Sequence, residues 1–426
     1  MSTSTSTSKV TTTTSIADLR INGARLWAAL MELAQIGATP KGGVCRLALT
    51  ELDRQGRDLV IGWAKEAGMT VTIDKIGNAF MRREGRNPAL PPVMTGSHID
   101  TQPTGGKFDG NYGVLAGLEV VRTLNDHGIE TEAPIEVAFW TNEEGSRFAP
   151  AMLCSGVYAG VFTPEFAYSR EDRAGMKLGD ELQRIGYKGT HKAGAIKFSA
   201  MFELHIEQGP ILEAESKMIG IVTGVQGMRW YEVTVTGQES HTGATPMLLR
   251  KNALLAAARM IEAIDQVGMA HLPGVASVGL IENKPNSRNV VPGEVFFTVD
   301  LRHPDEAVLD KMEKAFRAAL PKIAAEAKVT FEEKRIWNSP AVKFAPELVK
   351  CVAQGAAQAG YTSREMASGA GHDAAYIARV APTTMIFVPC LGGISHNEAE
   401  STTQDECAAG AQVLLNALLT HDASLA

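Results

Sequence analysis

Five short segments of the chain combine histidine or carboxylate side chains with nearby glycines: Gly96–Asp100, Lys107–Gly113, Thr141–Gly145, Glu203–Gly209 and Leu391–Glu398. Imidazole and carboxylate groups are common ligands of divalent metals, and glycine lets the backbone bend tightly around an ion. Taken singly, each segment has an ordinary explanation, such as a core histidine, a solvated Glu-Glu pair or an Asp-Gly-Asn turn. Three of the five directly follow a predicted strand, and this joint placement favours a metal site.

The elements that must position these segments alternate between strands and helices. The hydrophobic pattern predicts strands over 69–74, 79–82, 92–97, 135–140 and 384–389, and helices over 22–36, 47–67, 113–127, 348–360, 373–379 and 403–420. This rhythm predicts an α/β layer architecture. Polar residues at the strand ends lie where such folds bind ligands.

The pattern changes between residues 218 and 336. The elements predicted there, over 229–236, 253–267, 275–282, 294–302, 306–327 and 329–334, follow the order β-α-β-β-α-β of a ferredoxin-like fold. We therefore predict one discontinuous α/β domain, residues 19–217 and 337–426, that carries a ferredoxin-like insert at 218–336. The polar Ser/Thr-rich residues 1–18 are predicted to form a flexible tail.

The composition excludes several classes of protein. The formal net charge is −7 and no run of lysine or arginine is present, whereas proteins that bind nucleic acid usually carry a basic face. No apolar stretch approaches the roughly 20 residues of a membrane helix, and the N-terminus lacks the apolar segment of a secretory signal. Five scattered cysteines without a CxxC pair are typical of reduced thiols. We therefore expect a cytoplasmic protein that binds neither nucleic acid nor a membrane.

The motifs along the chain resemble those of one known family. They are GSHIDTQPTGGKFDGNYG, WTNEEGSRF, ELHIEQGPILE, SHTGATPM, NSRNVVPG, DLRHP, GAGHDA and GGISHNE. Together they are similar to the hydantoinase/carbamoylase amidases, a branch of the M20 metallopeptidase-like family, over nearly the whole chain after the tail. The histidine of HIEQGP stands where peptidase relatives usually carry an acidic ligand, which favours the amidase branch.

The resemblance implies a dinuclear centre of Zn, Mn, Co or Ni ions. The implied ligands are Asp109 as the bridge, His98 and His205 on one ion, and Glu144 and His396 on the other. Glu143 would be the general base, because a carboxylate beside the ligands can take a proton from water and pass it to the leaving nitrogen. Asp100 would accept the ring N–H of His98 and fix its orientation.

The resemblance also implies substrate contacts at Gln208, His241, Asn289, Arg302 and Gly371. The guanidinium fork of Arg302 suits a substrate carboxylate, and Asn289 can hydrogen-bond the same group. His241 would polarise the scissile carbonyl and stabilise the oxyanion, either in its own subunit or from the second subunit of a dimer. The alternatives are that Arg302 forms a surface ion pair and that His372 only caps a helix.

The implied reaction converts an N-carbamoyl-L-amino acid and water to the amino acid, CO2 and ammonia, in a homodimer whose insert serves as a lid or dimerisation domain. Allantoate amidohydrolases and β-ureidopropionases would share the ligands and differ in pocket shape. A peptidase is disfavoured by His205. A non-catalytic binding protein on the same fold is disfavoured because every matching metal and base position holds a competent residue.

Overall fold

The computed structural model describes residues 18–426. The predicted flexible tail therefore lies outside the described residues, except for Asp18. The helices, in chain order, are α1 (Gly23–Leu33), α2 (Glu51–Glu66), α3 (Asn111–Asp126), α4 (Leu153–Tyr158), α5 (Pro164–Tyr168), α6 (Leu178–Arg184), α7 (Ile211–Ala214), α8 (Ala253–Met269), α9 (Glu306–Ala327), α10 (Pro346–Ala359), α11 (Asp373–Ile377) and α12 (Gln404–Asp422). Short 3-10 turns lie at Met247–Leu249 and Leu391–Gly393.

The strands fall into parallel and antiparallel pairs. In chain order they are β1 (Thr70–Ile73), β2 (Ala79–Arg83), β3 (Val93–His98), β4 (Ile135–Trp140), β5 (Ala200–Ile206), β6 (Ile219–Val225), β7 (Gly227–Thr236), β8 (Ser240–His241), β9 (Val275–Ser277), β10 (Ile281–Lys284), β11 (Val290–Val291), β12 (Glu294–His303), β13 (Thr330–Ser339), β14 (Val342–Lys343), β15 (Ser363–Ser368) and β16 (Thr383–Val388).

The chain folds into two compact units and passes from one to the other four times. The larger unit comprises the chain up to Thr223, Phe344–Met366 and His372–Ala426. The smaller unit comprises Gly224–Lys343 and the short segment Ala367–Gly371. The units thus divide a few residues after the predicted boundaries at 217 and 336, and the sequence pattern did not assign the segment 367–371 to the smaller unit.

The larger unit is built on a mixed sheet in the order β1-β2-β4-β3-β5-β16-β6. The four central strands, β4, β3, β5 and β16, run parallel to one another. Every residue of these four strands is buried, as expected for a parallel sheet that is covered on both faces. The predicted α/β architecture is therefore confirmed as a mixed sheet of parallel and antiparallel strands, and the carboxyl ends of its central strands lie at one edge.

The smaller unit has its own antiparallel sheet in the order β10-β12-β7-β13, with β9 also paired to β12. Its core is separate from that of the larger unit and includes Tyr231, Phe297 and Phe316. In chain order this sheet and its long helices run β7, α8, β9 and β10, β12, α9 and β13, so two strands stand where one was predicted, and β8 and β11 form a separate pair. The use of this unit as a lid or dimerisation domain stays a prediction.

Local sequence signals explain where two predictions differ from the structure. Helix α2 begins at Glu51 instead of residue 47, because the Thr50 side chain accepts the N–H of Asp53 as an N-cap. The strand predicted over 275–282 is divided into β9 and β10 on either side of Gly279. Glycine is a common point of irregularity within a strand because it has no side chain to pack.

Two expectations from the composition can be compared with the structure. Among the helices that the structure describes, none is both long and apolar enough to cross a membrane. All five cysteines lie within the described residues and are free thiols, so the prediction of unpaired cysteines is confirmed.

Candidate metal centre

The carboxyl ends of the four central strands bring the predicted ligands together in the larger unit. His98 is the last residue of β3, and His205 is the second-last residue of β5. Glu143 and Glu144 follow the end of β4, and His396 lies in the loop after β16. Because parallel neighbours end at the same edge of a sheet, residues distant in sequence converge there.

The first cluster of potential ligands comprises His98, Asp109 and His205, all buried. Oδ1 of Asp109 lies 3.5 Å from Nε2 of His98 and 3.1 Å from Nε2 of His205. The Nδ1 atoms of both histidines lie 2.9 Å from a main-chain oxygen, that of Asp100 and that of Ile206. These hydrogen bonds place a proton on Nδ1 and direct Nε2 towards Asp109, which is the arrangement that metal-binding histidines use.

The second cluster comprises Asp109, Glu144 and His396. Nε2 of His396 lies 3.4 Å from Oδ2 of Asp109 and 3.4 Å from Oε2 of Glu144. The hydrogen bond to Asp109 raises the pKa of His396 to about 9, so this ring must lose a proton before it can bind a metal. Asp109 therefore faces one cluster with Oδ1 and the other with Oδ2, as a bridging carboxylate would.

Glu143 and its neighbour Glu144 diverge at the end of β4. Oε2 of Glu143 lies 3.5 Å from Nε2 of His98, but Glu143 belongs to neither cluster of ligand atoms. Glu144 is held by Gln102, whose main-chain N–H donates to Oε1 at 3.0 Å and whose side-chain amide donates to Oε2 at 2.6 Å. One carboxylate can thus bind an ion while its neighbour acts on a water molecule.

Asp100 contacts both the histidine and the two glutamates. The Asp100 carboxylate was predicted to accept the ring N–H of His98, but the main-chain oxygen of Asp100 accepts it instead. The nearest carboxylate oxygen is 3.9 Å from Nδ1 of the ring. The carboxylate instead accepts the main-chain N–H groups of Glu143 and Glu144 at 3.2 and 3.3 Å. Asp100 therefore fixes the loop that carries the predicted base, a contact that the sequence pattern did not indicate.

Gly110 occupies a position that no other residue type can take without strain. Its φ is +67°, and a Cβ built there would lie 2.4 Å from three ring atoms of His98. The same glycine precedes helix α3 and follows Asp109 directly. The close approach of this backbone to the imidazole is what allows His98 and Asp109 to face each other.

Three further polar residues, Gln208, Ser395 and Glu400, surround Asp109, and only Gln208 was predicted to belong to the site. Gln208, predicted to contact substrate, donates from Nε2 to Oδ2 of Asp109 at 3.0 Å and to Ser395 at 3.1 Å. Buried Glu400 accepts the main-chain N–H groups of Phe108 and Asp109 through Oε1, and the Ser395 hydroxyl through Oε2. Nothing in the sequence distinguishes Glu400 from the other glutamates near His396, so this contact was missed.

The site concentrates buried negative charge. Burial raises the pKa of Glu143 well above its ordinary value. Burial and the charge of Asp109 raise the pKa values of Glu144 and Glu400 to about 7. Asp109 is the exception, because hydrogen bonds from three histidines outweigh its burial and hold its pKa well below the usual range. Divalent cations would stabilise the ionised form of all four carboxylates, and the donor set of three imidazoles and two carboxylates suits Zn, Mn, Co or Ni.

In the smaller unit, strands β8 and β11 bring His241 and Asn289 together. The main-chain oxygen of Asn289 accepts the N–H of Thr242 at 3.2 Å. Nδ1 of exposed His241 accepts the N–H groups of Gly243 and Ala244 at 3.0 and 3.2 Å. The ring proton of neutral His241 therefore lies on Nε2, where it can be donated to an oxyanion.

Arg302 lies near the end of β12 and already has protein partners. Its guanidinium makes a forked contact with the Asp300 carboxylate at 2.8 to 3.1 Å. It also donates to the main-chain oxygen of Gly369 at 2.9 Å, which brings it close to the segment that contains Gly371. The structure therefore contains the ion pair that the sequence offered as the alternative for Arg302. A substrate carboxylate would have to bind this guanidinium alongside Asp300.

His372, for which a helix cap was the alternative, lies just before α11. Its side chain makes no capping hydrogen bond. Instead its buried ring packs edge-on against the ring of His205, with 4.6 Å between the centroids. It thus supports the orientation of a predicted ligand.

The chain is similar over most of its length to known proteins of one family. Residues 94–420 match the sequence profile of the family described as Peptidase family M20/M25/M40. A relative from Rhizobium meliloti, named N-carbamoyl-L-amino-acid amidohydrolase, is 54% identical over 401 residues, covering 94% of this chain and 96% of that protein. An allantoate amidohydrolase from Bacillus subtilis is 35% identical, covering 91% of this chain and 94% of that protein. The crystal structure of an amidase of the hydantoinase/carbamoylase family from Burkholderia multivorans is 60% identical, with a TM-score of 0.93, and covers 94% of this chain and 98% of that one.

Proposed function

Since the chain belongs to the peptidase M20/M25/M40 family and to its hydantoinase/carbamoylase amidase branch, we propose that it is a metal-dependent N-carbamoyl-L-amino acid amidohydrolase. The products would be the free amino acid, CO2 and ammonia. The observation that carries the proposal is the arrangement around Asp109, whose two oxygens face two separate sets of ligand atoms while Glu143 lies beside one of them. A single-metal site would require only one of these two sets.

The residues of the larger unit fit a two-metal hydrolytic centre. His98, His205 and Asp109 would hold one ion, and Asp109, Glu144 and His396 the other. When bound, such ions lower the pKa of a water molecule and polarise the ureido carbonyl, which is otherwise a poor electrophile. Glu143 would take the proton of that water and transfer it to the leaving nitrogen. Burial raises the pKa of this carboxyl, which suits a group that must both accept and release a proton.

The smaller unit would supply the groups that recognise the substrate. Arg302 and Asn289 would bind the α-carboxylate, and Nε2–H of His241 would stabilise the oxyanion. Gln208 and Gly371 would make further contacts. The forked pair with Asp300 holds the Arg302 guanidinium in a fixed orientation, which reduces the conformational entropy lost on binding a carboxylate.

The experiment that tests the reaction is ammonia release from a panel of substrates. The purified full chain is stripped with a chelator and supplied separately with Mn, Co, Ni or Zn. It is then given N-carbamoyl-L-amino acids, N-carbamoyl-D-amino acids, allantoate and dipeptides. We expect metal-dependent release from the N-carbamoyl-L-amino acids. Activity without metal, or cleavage of the dipeptides alone, would contradict the proposal.

Allantoate is the second candidate substrate, because an allantoate amidohydrolase is among the relatives. Its ureido groups and carboxylate would use the same ligands and the same arginine. The panel separates the two candidates by kcat/KM, and a higher value for allantoate than for every N-carbamoyl amino acid would favour this alternative.

The role of Arg302 can be tested separately from the metal centre. Arg302→Ala should lower kcat/KM for carboxylate substrates by about 2–4 kcal/mol, the order lost when one partner of a desolvated charge pair is removed. The amide of the same N-carbamoyl amino acid should be a poor substrate that the substitution hardly affects. Arg317→Ala is the matched control, since Arg317 also forms ion pairs within the smaller unit. Equal losses for the acid and the amide would show that Arg302 only stabilises the fold.

We further propose that the smaller unit serves as a lid and dimerisation domain, and that the enzyme is a homodimer. Light scattering at the assay concentration tests the assembly. The mass of a single 45.5 kDa chain together with full activity would contradict an essential dimer.

A further inference from the structure

Arg46 is a fully buried cation beside the first ligand cluster. Its Nε donates to the main-chain oxygen of Ile99 at 2.9 Å, and Nη2 donates to Oδ1 of Asn111 at 2.6 Å. Nη1 donates to the main-chain oxygens of Leu33 and Ile36, at the end of helix α1. One guanidinium thus joins three segments of the larger unit.

The way in which this charge is buried is unusual. Among the ion pairs of the described residues, none involves Arg46, whereas Arg57, also fully buried, pairs with Asp53 at 2.8 Å. Burial lowers the pKa of Arg46 to about 10, so it stays protonated at neutral pH. Burying an ion is costly unless its partners compensate. The hydrogen-bond partners of Arg46 are neutral oxygens, and the carboxylates of Asp53 and Asp100 act on it without forming an ion pair. An apolar side chain of similar size would fill the same volume without that cost.

The contacts of Arg46 lead directly to two ligands. Ile99 follows His98 in the chain, and the side-chain amide of Asn111 donates to the main-chain oxygen of Asp109 at 3.1 Å. The backbone of Arg46 is itself fixed by Thr101, through a pair of hydrogen bonds at 2.8 and 3.0 Å. Arg46 therefore holds both loops between which His98 and Asp109 face each other.

Helix α2 leaves a gap for this side chain. A Cβ at Gly56 would lie 2.9 Å from Cδ and 3.2 Å from Nε of Arg46. Glycine inside a helix is less favourable than alanine. The glycine at this position keeps the guanidinium in place against the two loops.

We propose that Arg46 is a positioning residue for the metal centre, which sets the separation of His98 and Asp109 through Ile99 and Asn111. The inference rests on the proposed metal dependence but not on the identity of the substrate. It assigns the residue no contact with substrate. Its expected effect is on metal affinity, because residues that orient metal ligands typically change affinity by about 10- to 100-fold.

The test uses the full chain, stripped of metal and titrated with Co2+ alone. Arg46→Lys keeps the charge but loses the fork, and Asn111→Leu leaves Arg46 intact but removes the link to Asp109. Arg229→Lys is the matched control, because it alters another buried guanidinium, in the smaller unit, whose carboxylate partners are far in the chain from every predicted ligand. Co2+ affinity, the visible absorption of the bound Co2+ and the thermal unfolding of the metal-free protein are measured for each variant.

We expect Arg46→Lys and Asn111→Leu to weaken Co2+ binding by about 10- to 100-fold and to alter the absorption of the bound ion. Arg229→Lys should lower the stability of the metal-free protein without changing either property. If Arg46→Lys does not fold, Asn111→Leu carries the test. The proposal would be overturned if Asn111→Leu and any folded Arg46 variant bind Co2+ as tightly as the wild type does. It would also be overturned if the wild-type chain binds no Co2+. A wild-type chain that binds Co2+ but releases no ammonia from N-carbamoyl amino acids would contradict only the proposed function.

Discussion

Replacing Gly110 with alanine should disable the metal centre while leaving the fold intact. The added Cβ would lie 2.4 Å from the ring of His98, whereas ordinary contacts begin at 3.4 Å. The ring must therefore move by about 1 Å, the difference between the two distances, while metal–ligand distances tolerate only about 0.2 Å. We expect the affinity of the first ion to fall by at least about 100-fold, the upper end of the losses seen when only the surroundings of a ligand are changed.

The same helix offers a control for a positive φ without a steric clash. Gly128 follows the carboxyl end of α3 with φ +63°, and a Cβ there would meet nothing within 4 Å. Gly128→Ala therefore reports the cost of a positive φ alone, roughly 1–2 kcal/mol. Gly110, at φ +67° and ψ −48°, lies outside the left-handed helical region, so Gly110→Ala should lose more stability from strain. Only Gly110→Ala should displace a ligand.

The assay is elemental analysis of both variants after equilibration with Zn2+, together with thermal unfolding of the metal-free proteins. Wild type and Gly128→Ala should bind the same number of ions, and Gly110→Ala should bind fewer. Equal ion content and equal metal affinity in Gly110→Ala and Gly128→Ala would refute the reasoning that this glycine is needed for the approach of His98.

Two further predictions concern buried carboxylates: Glu143 and Glu144 in the proposed metal centre, and Glu136 outside it. Glu143→Gln should keep its metal but lose kcat by at least the roughly 10²–10⁴-fold of general-base catalysis, whereas Glu144→Gln should lose metal; the opposite pattern in elemental analysis would exchange the two roles. Burial raises the pKa of Glu136 from 4.5 to about 7, so below pH 7 its folded form binds more protons than the unfolded chain and stability falls as pH rises. Glu136→Gln should therefore stabilise the protein by up to about 3 kcal/mol at pH 8 and by little near pH 4. Denaturant unfolding at both pH values would show this, with exposed Glu130→Gln as the control, and a pH-independent difference would contradict it.

The elements that the sequence predicts best are those with an uninterrupted pattern. The strand over 135–140 and the helix over 306–327 agree with β4 and α9 at both ends, because a compact apolar run and a long amphipathic period each have one interpretation. Strand β5 was not predicted, although it lies at the centre of the sheet. Its Glu203 and His205 are typical of a surface, but both are buried, and Glu203 is held by the Ser97 hydroxyl and the N–H of Ala374.

The proposed ligands could be named because their short motifs resemble those of a known family, whereas the residues that support them could not. Glu400 reaches Asp109 across 291 positions of the chain, and Arg46 reaches Asn111 across 65. Such pairs depend on which loops the fold brings together, and neither residue type nor spacing indicates that. Arg302 is a different case, because its partner Asp300 is only two positions away on the same strand, and the sequence already offered an ion pair as the alternative.

The two ion positions should differ in how firmly they hold their metal. The side chains of His98 and His205 are 2% and 1% exposed, and each is oriented by a main-chain oxygen. His396 belongs to a loop, its side chain is 53% exposed, and its pKa is raised to about 9, so a proton competes with the metal for this ligand at neutral pH. Dialysis against a chelator should therefore remove one ion quickly and the other slowly. His396→Ala should retain only the slowly lost ion, whereas His98→Ala should lose it. The opposite result is that His396→Ala retains the ion that leaves the wild type quickly. In that case the exposed histidine belongs to the tighter position, and burial does not determine which ion is lost first.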